Sequence, residues 1–276
     1  MRGLILVTGA TGKTGKSLVA QLKEKGVAYR AASRGGEPPF DWAQADTWNA
    51  ALEGVTAVYL VAPPTVDDPY SRIVEFLRSA MRMGSRRFVF LGMASLPAGG
   101  PAHGQVHQWL KDNSEDWAVL SPSAFMQNFS EGPYLATIRE ESAFYSNTGT
   151  GRVPFISAED IASAALAALM APAPLNSDFT LTGGESISYD RVAELISQAC
   201  GRAISHTHIS TEALIERFLA RGLPELTARF LAAGYQTIAT GYQDRTTEGF
   251  NSLTGKRPTT FQAFAEVNAE VWNPEA

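Results

Sequence analysis

The chain has 276 residues, 45% of them hydrophobic and 18% charged, with a formal net charge of -5. That length and apolar content can bury a large core, either as one α/β domain or as a domain with a smaller lobe. The acidic balance and the dispersal of its 23 Lys and Arg residues argue against nucleic acid or an anionic membrane as partner, and the single cysteine, Cys200, excludes an internal disulfide framework.

Strand and helix signals alternate along most of the sequence. Gly3 to Thr8 is a short apolar run, as expected of a central parallel strand covered on both faces. Leu18, Val19 and Leu22 then recur at helical spacing, and Gly26 supplies a C-terminal cap. Val27 to Ser33 reads as a second strand, Phe40-Asp41-Trp42 as a brief third, and Val55 to Ala62 as a fourth stopped by Pro63-Pro64. Tyr70, Ile73, Val74, Leu77, Ala80 and Met81 share one helix face, followed by a fifth strand over Arg87 to Gly92. Val106, Trp109 and Leu110 mark another helix, and Trp117 to Ser121 a sixth strand. Ser157, with Asp160 three residues on, opens a helix whose inner face is Ile161, Ala164, Ala165 and Leu169, and Phe179 to Thr182 is a seventh strand.

Strands separated by helices of this length imply right-handed crossovers, so the expected class is α/β, a Rossmann-type doubly wound parallel sheet. From Ser188 the pattern turns to helix: Tyr189–Cys200, Thr211–Arg221, Pro224–Ala233 and Thr260–Trp272. This predicts a dinucleotide-binding domain over residues 1–185 and a smaller, mostly helical C-terminal lobe over 186–276, with some elements exchanged between them. No apolar stretch has membrane-spanning length and Leu4 to Val7 is too short for a signal peptide, so a soluble, cytoplasmic protein is expected.

The segment Gly9-Ala10-Thr11-Gly12-Lys13-Thr14-Gly15 follows a strand and opens a helix. Gly9 allows the tight turn, Gly12 lets the backbone approach a pyrophosphate, and Gly15 lets helix and strand sit close, so phosphates rest on free N–H groups at the positive helix end. Cofactor contacts are therefore expected from Gly9, Thr11, Gly12, Lys13, Thr14 and Gly15. An NAD site usually carries Asp or Glu about 20 residues on, for the ribose hydroxyl. This chain offers Ser33-Arg34 instead, with no acid until Glu37. Arg34 and Ser33 suit a 2′-phosphate, which favours NADP(H) and leaves NAD(H) open; the other reading of Arg34 is a solvated loop residue.

With these residues in place, the chain resembles the NmrA-like branch of the atypical short-chain dehydrogenases, through GATGKTG at 9–15, VYLVAPP at 58–64, RRFVFLG at 86–92, LSPSAFMQN at 120–128, GRVPFISAEDIA at 151–162 and LTGGESISY at 181–189. Val106 to Leu110, Phe40 to Trp42 and Thr254 to Pro258 resemble the subgroup of ergot-alkaloid-pathway reductases, the agroclavine and festuclavine dehydrogenases. The resemblance implies Asp41 and Trp42 near the adenine, Ala62, Pro63 and Pro64 beside ribose and diphosphate, and Met93-Ala94-Ser95 near the nicotinamide. It also implies that Pro122, Ser123, Ala124 and Phe125 bracket the nicotinamide amide. Trp42 and Phe125 have a second reading, as core aromatics.

Ketone-reducing short-chain dehydrogenases use a Tyr-x-x-x-Lys pair to protonate the alkoxide; the matching positions here hold Gly99 and His103. Either the acceptor needs little or no protonation in the hydride step, as with an iminium ion or a quinone, or the protein binds NADP(H) as a redox-sensing regulator without turnover. His103 and His107 share a helix face and are the candidate proton-relay residues, although a structural role is the alternative. Their spacing also suits a metal pair, but no HExxH pattern or third ligand accompanies them, so no metal is expected. Phe125, Tyr235 and Tyr242 are the candidate substrate contacts; the last two, seven residues apart, are expected on one helix face. An aromatic lining suits a flat, apolar small-molecule substrate, bound by a monomer or a homodimer.

Overall fold

Apolar runs bounded by glycine or proline become strands here, and the amphipathic stretches between them become helices. The computed structural model describes residues 3–63 and 68–274. In chain order its elements begin with β1 (Leu4–Val7), α1 (Lys13–Glu24), β2 (Tyr29–Ala31), α2 (Asp46–Leu52), β3 (Val55–Leu60), α3 (Pro69–Arg82), β4 (Arg87–Leu91), α4 (His103–Asn113) and β5 (Asp116–Pro122). They continue with α5 (Leu135–Glu141), β6 (Ala143–Ser146), β7 (Arg152–Val153), α6 (Ala158–Leu169), β8 (Ser177–Leu181), β9 (Ile187–Ser188) and α7 (Tyr189–Cys200). The last are β10 (Ser205–His208), α8 (Thr211–Ala220), α9 (Glu225–Ala239), α10 (Gly249–Thr254) and α11 (Phe261–Val267).

The chain forms two compact units. The first takes the chain up to Pro122 together with Ala158–Leu181 and Glu248–Lys256. It holds a six-stranded sheet of order β2-β1-β3-β4-β5-β8, parallel throughout. Its central strands are buried on both faces, as a sheet covered by helices on each side requires, with Leu6, Val58, Leu60, Phe88 and Phe90 sharing one core with Phe76, Leu77 and Leu110 of the helices. α1 packs on α6, where Gln21 Nε2 donates to the Glu159 carbonyl at 3.1 Å.

Two expected elements differ. β2 is three residues long rather than seven, because the Ser33 carbonyl accepts from the Gly36 and Phe40 amides and curls the chain off the sheet edge. Phe40-Asp41-Trp42 forms no sheet strand. Asp41 Oδ1 accepts from the Ala43 amide at 2.9 Å, and only a single bridge, Asp41 to Gln44, remains. Phe40 and Trp42 instead join an edge-to-face cluster with Phe76.

The second unit takes Ser123–Ser157, Thr182–Thr247 and the chain from Arg257 onward. A division at 185/186 is therefore replaced by interleaving: the chain crosses at Pro122, Ser157, Leu181, Thr247 and Lys256. The expected helices are present, but so are α5 and two small sheets, β10 with β6 in parallel and β7 with β9 antiparallel. The unit is built around an aromatic core of Phe129, Tyr134, Phe144, Phe155, Tyr189, Phe261 and Trp272. The Trp272 indole N–H donates to the Phe129 carbonyl at 2.7 Å, so the ring is buried with its polar atom satisfied.

Candidate active site

Sheet order reverses at β1, which has β2 on one side and β3 on the other. Ligands of open α/β sheets bind beyond the carboxyl ends of the strands at such a point. The glycine loop lies there. Gly9 has φ +62°, and the Gly12 amide donates to its carbonyl at 2.9 Å. A Cβ on Gly15 would lie 2.1 Å from the Gly9 carbonyl oxygen, and one on Gly9 would lie 3.0 Å from Val61 Cβ. Gly12 is the N-cap of α1 and supplies no side-chain acceptor. The first-turn amides therefore face the loop at the positive end of the helix, and the loop fits a dinucleotide's phosphates.

Thr8 carries no motif signal, yet it ties this crevice together. Its hydroxyl donates to the Tyr59 carbonyl at 3.1 Å and accepts from the Val61 amide at 2.8 Å, joining the carboxyl ends of β1 and β3. Thr14 is turned inward: its hydroxyl accepts from the Tyr59 phenol at 3.0 Å and the residue is buried. Its side chain is committed to the core, which leaves the backbone amide to the loop. Burial pushes the Tyr59 phenol well above its usual range, so it stays a donor. Thr11 is exposed and Lys13 half-buried at the start of α1.

Beyond β2, Ser33 is half-buried and Arg34 is exposed, with no hydrogen bond or ion pair among the described residues. The Asp41 carboxylate is occupied locally by the Ala43 amide and by Gln44 Nε2 at 3.4 Å. Trp42 is half-buried, with its ring 5.1 Å from Phe40, 6.3 Å from Trp48 and 5.0 Å from Phe76. Ala62, half-buried, and Pro63, buried, follow β3; Pro64 lies outside the described residues. After β4 the Gly92 amide donates to the Leu120 carbonyl at 2.8 Å and the Ala94 amide to the Pro122 carbonyl at 3.1 Å. Met93 is thereby held, half-buried, at the carboxyl edge.

Gly99 stands outside α4, in the left-handed region at φ +78°, and its amide donates to the Gly104 carbonyl. A tyrosine there would be strained and would not share a helical turn with position 103. His103, the first residue of α4, stacks on Phe90 at 5.7 Å. His107 is 5% exposed and packs at 5.7 Å against Trp117, near the start of β5 and away from Pro122 at its carboxyl end. Burial lowers the pKa of both histidines, opposed at His107 by the Asp178 carboxylate. His107 therefore belongs to helix–sheet packing.

In the second unit the Ser123 hydroxyl donates to the Pro154 carbonyl, and half-buried Phe125 bridges to Ile156. Tyr235 and Tyr242 do not share a helix face. α9 ends at Ala239 and Gly241, at φ +75°, turns the chain; Tyr235 is buried in the core while Tyr242 is 66% exposed. A constellation without sequence signal also appears here. Ser146 Oγ lies 2.8 Å from His206 Nε2, and His206 Nδ1 lies 2.7 Å from Asp190 Oδ1. The spacing is that of a Ser-His-Asp triad, but Ser146 is fully buried and also bonded to Thr148 Oγ1 at 2.7 Å. No substrate can reach it, and the set pins β6, β10 and α7 together. Among the described residues no group of three His, Cys, Asp or Glu could hold a metal ion, and no helix is long and apolar enough to cross a membrane.

No family model matches the chain. Agroclavine dehydrogenase of Claviceps fusiformis is 37% identical over 287 aligned residues, covering 97% of this chain and 98% of the relative. An uncharacterized oxidoreductase of Bacillus subtilis is 36% identical over 275, covering 97% and 96%. The crystal structure of NmrA, a negative transcriptional regulator in complex with NAD, shares the fold at TM-score 0.74 and 15% identity, covering 96% of this chain and 94% of that one. The chain belongs to the NmrA-like atypical short-chain dehydrogenase/reductase family. This NmrA-like oxidoreductase also shares its fold with the NADPH-dependent quinone oxidoreductase QOR2 of Escherichia coli in complex with NADPH, at TM-score 0.79 and 18% identity, covering 95% and 99%. Its first unit holds the six-stranded parallel sheet of a Rossmann-like α/β fold.

Proposed function

We propose that the protein is an NADPH-dependent reductase whose acceptor is an imine, an iminium ion or a quinone-like molecule. The observation that carries the reading is the uncapped start of α1, framed by Gly9, Gly12 and Gly15, with an exposed Arg34 just past β2 that has no hydrogen bond or ion pair among the described residues. The first-turn amides would hold the diphosphate, and Arg34 with Ser33 the 2′-phosphate, since a guanidinium fork suits a phosphate's geometry. Asp41 and Trp42 would border the adenine, Ala62 and Pro63 the ribose, and Met93 the nicotinamide. When bound, the reduced nicotinamide supplies hydride.

The acceptor class follows from what the chain withholds. Gly99 offers no phenol and His103 no ammonium, so a ketone's developing alkoxide finds no Tyr-Lys pair to protonate it. An imine would react as its iminium ion, already protonated in solution, whose carbon takes hydride and becomes a neutral amine with no further proton, and a quinone yields a weakly basic oxygen. The name of the 37%-identical agroclavine dehydrogenase supports a place in specialised metabolism. The reaction would take place in the cytoplasm, on a flat, apolar substrate.

The test is loss of reduced-nicotinamide absorbance with purified protein, NADPH or NADH, and a panel of cyclic imines, quinones and simple ketones. Turnover of imines or quinones with NADPH, and inert ketones, is expected. Ketone reduction at comparable rates would overturn the acceptor assignment. Tight NADPH binding with no turnover of any acceptor would replace the reductase with an NADP(H)-sensing regulator.

A further inference from the structure

Within the first unit, Tyr59 of β3 meets the glycine loop at both of its ends. Its backbone carbonyl accepts from the Thr8 amide at 3.0 Å and from the Thr8 hydroxyl at 3.1 Å, immediately before Gly9. Its phenol donates to Thr14 Oγ1 at 3.0 Å, immediately before Gly15. All three residues are buried, Tyr59 and Thr8 completely and Thr14 to within 4% exposure. The register of β1 against β3 brings them together: Val7 lies opposite Tyr59, and Thr8 follows it off the end of the strand.

Between those two ends the loop is stiff. The Gly12 amide donates to the Gly9 carbonyl, the Lys16 amide donates to the Gly12 carbonyl, and a Cβ at Gly15 has no room. A stiff loop moves as one piece, so the groups that hold its ends decide where its amides lie. The β1 ladder fixes the first end. The second end is the opening turn of α1, of which Thr14 is the second residue. Among the described residues, Thr14 Oγ1 has no hydrogen-bond partner other than the Tyr59 phenol. Apolar side chains would fill a helix–strand contact with no polar atom to satisfy. A buried hydroxyl pair adds what packing lacks, a fixed distance between two named atoms.

We propose that Tyr59 is a positioning residue of the cofactor site: it clasps both ends of the glycine loop and so sets the first-turn amides at one height above the sheet, ready for a dinucleotide's diphosphate. The inference rests on the cofactor-binding role proposed for that loop. NADPH and NADH carry the same diphosphate, so the clasp serves both alike and leaves the choice between them to Arg34. Tyr59 acts through Thr14 and, being fully buried, does not meet the cofactor itself.

The experiment measures Kd for NADPH and for NADH by nicotinamide fluorescence, and stability by urea unfolding. The proteins are wild type, Tyr59→Phe and the double variant Tyr59→Phe/Thr14→Val. Tyr59→Phe opens the clasp and leaves the Thr14 hydroxyl buried without its donor; adding Thr14→Val removes that orphan at nearly constant shape. Tyr59→Phe is expected to weaken both cofactors by the same factor, about threefold to tenfold. The double variant should regain stability while its affinities stay low, because the clasp is still open. Affinity that returns together with stability would make the pair purely structural and overturn the proposal. Wild-type affinity in Tyr59→Phe, or a loss confined to NADPH, would overturn it as well. If Tyr59→Phe does not fold, Thr14→Val alone opens the clasp from the other side, with the same shared loss expected and unchanged affinity again overturning it. A wild type that binds neither cofactor would bring down the loop's role and the clasp together, whereas tight binding unaffected by these variants removes the clasp alone.

Discussion

The crevice beside the glycine loop and the aromatic centre of the second unit solve opposite problems. In the crevice, position comes from backbone geometry: Gly9 in the left-handed region, Gly15 without room for a methyl group, and Thr8 and Thr14 spending their hydroxyls on neighbouring strands. The main-chain amides of the first helical turn are left over for a ligand. In the aromatic centre, ring packing fixes position, with Tyr134 stacked on Phe129 at 4.8 Å and the Trp272 indole N–H donating to the Phe129 carbonyl. A site made of backbone tolerates many side chains around it but no added atom within it, whereas a site made of side chains tolerates conservative exchange and loses one contact at a time.

Gly15→Ala should break the first region outright, because the new methyl would lie 2.1 Å from the Gly9 carbonyl oxygen and 2.9 Å from Ala10 Cα, so backbone rather than a flexible side chain would have to shift. A destabilisation of about 3 kcal/mol or more is expected, read by chemical denaturation, together with loss of cofactor affinity. Retention of both would mean that the loop is not the rigid element described. Arg34→Ala is next: NADPH should bind roughly tenfold to a hundredfold more weakly while NADH is little affected. Equal losses for both cofactors would remove the 2′-phosphate assignment. Tyr59→Phe deletes the phenol that Thr14 accepts from, buried in the first unit, and should cost about 1 kcal/mol with the cofactor preference intact. Tyr134→Phe keeps the ring stacked on Phe129 and should cost no more than that, so the pair of phenylalanine variants sets the two regions side by side.

Acid should bear on both. His103, His107 and His206 all have a pKa lowered first by burial. The folded state keeps them neutral, while the unfolded chain takes up protons near the ordinary histidine value of about 6.5. Stability is therefore complete above that pH and falls as pH drops through it, until the folded-state groups protonate in turn. His206→Gln should flatten part of this slope in urea titrations between about pH 7 and 5, and an unchanged slope would show that His206 titrates alike in both states. His107→Ala should keep substantial turnover, since its ring packs on Trp117; an abolished rate with cofactor binding retained would make it catalytic.

The first unit was legible because its signals are local. A buried parallel strand reads as an apolar run, and the glycine loop as a fixed spacing after it, so β1, β3, β4 and β5 fall within a residue or two of expectation. The rest depended on partners distant in the chain. Ser205-His206-Thr207-His208 has no apolar alternation and becomes a strand only because β6 offers its edge. Asp190, 16 residues before His206, gives no hint of the bond between them. Tyr235 and Tyr242 sit seven apart as if on one helix face, but Gly241 turns the chain first. Phe40 to Trp42 carries strand-forming residues, yet packing with Phe76 and the Asp41 turn decide otherwise. Thr8 and Thr14 are ordinary threonines until the register of β1 against β3 is known.

The interleaved path of the chain has a consequence for biosynthesis. β8, the strand that closes the sheet beside β5, leaves the ribosome only after the first segment of the second unit, and α10 later still. Until Leu181 has emerged, the growing chain carries β5 as an open parallel edge, ready to pair with any strand that presents itself. A nascent chain stalled or cleaved just past Pro122 would therefore be a client for chaperones rather than a folded fragment, and neither unit can be passed to another protein as one contiguous block of sequence.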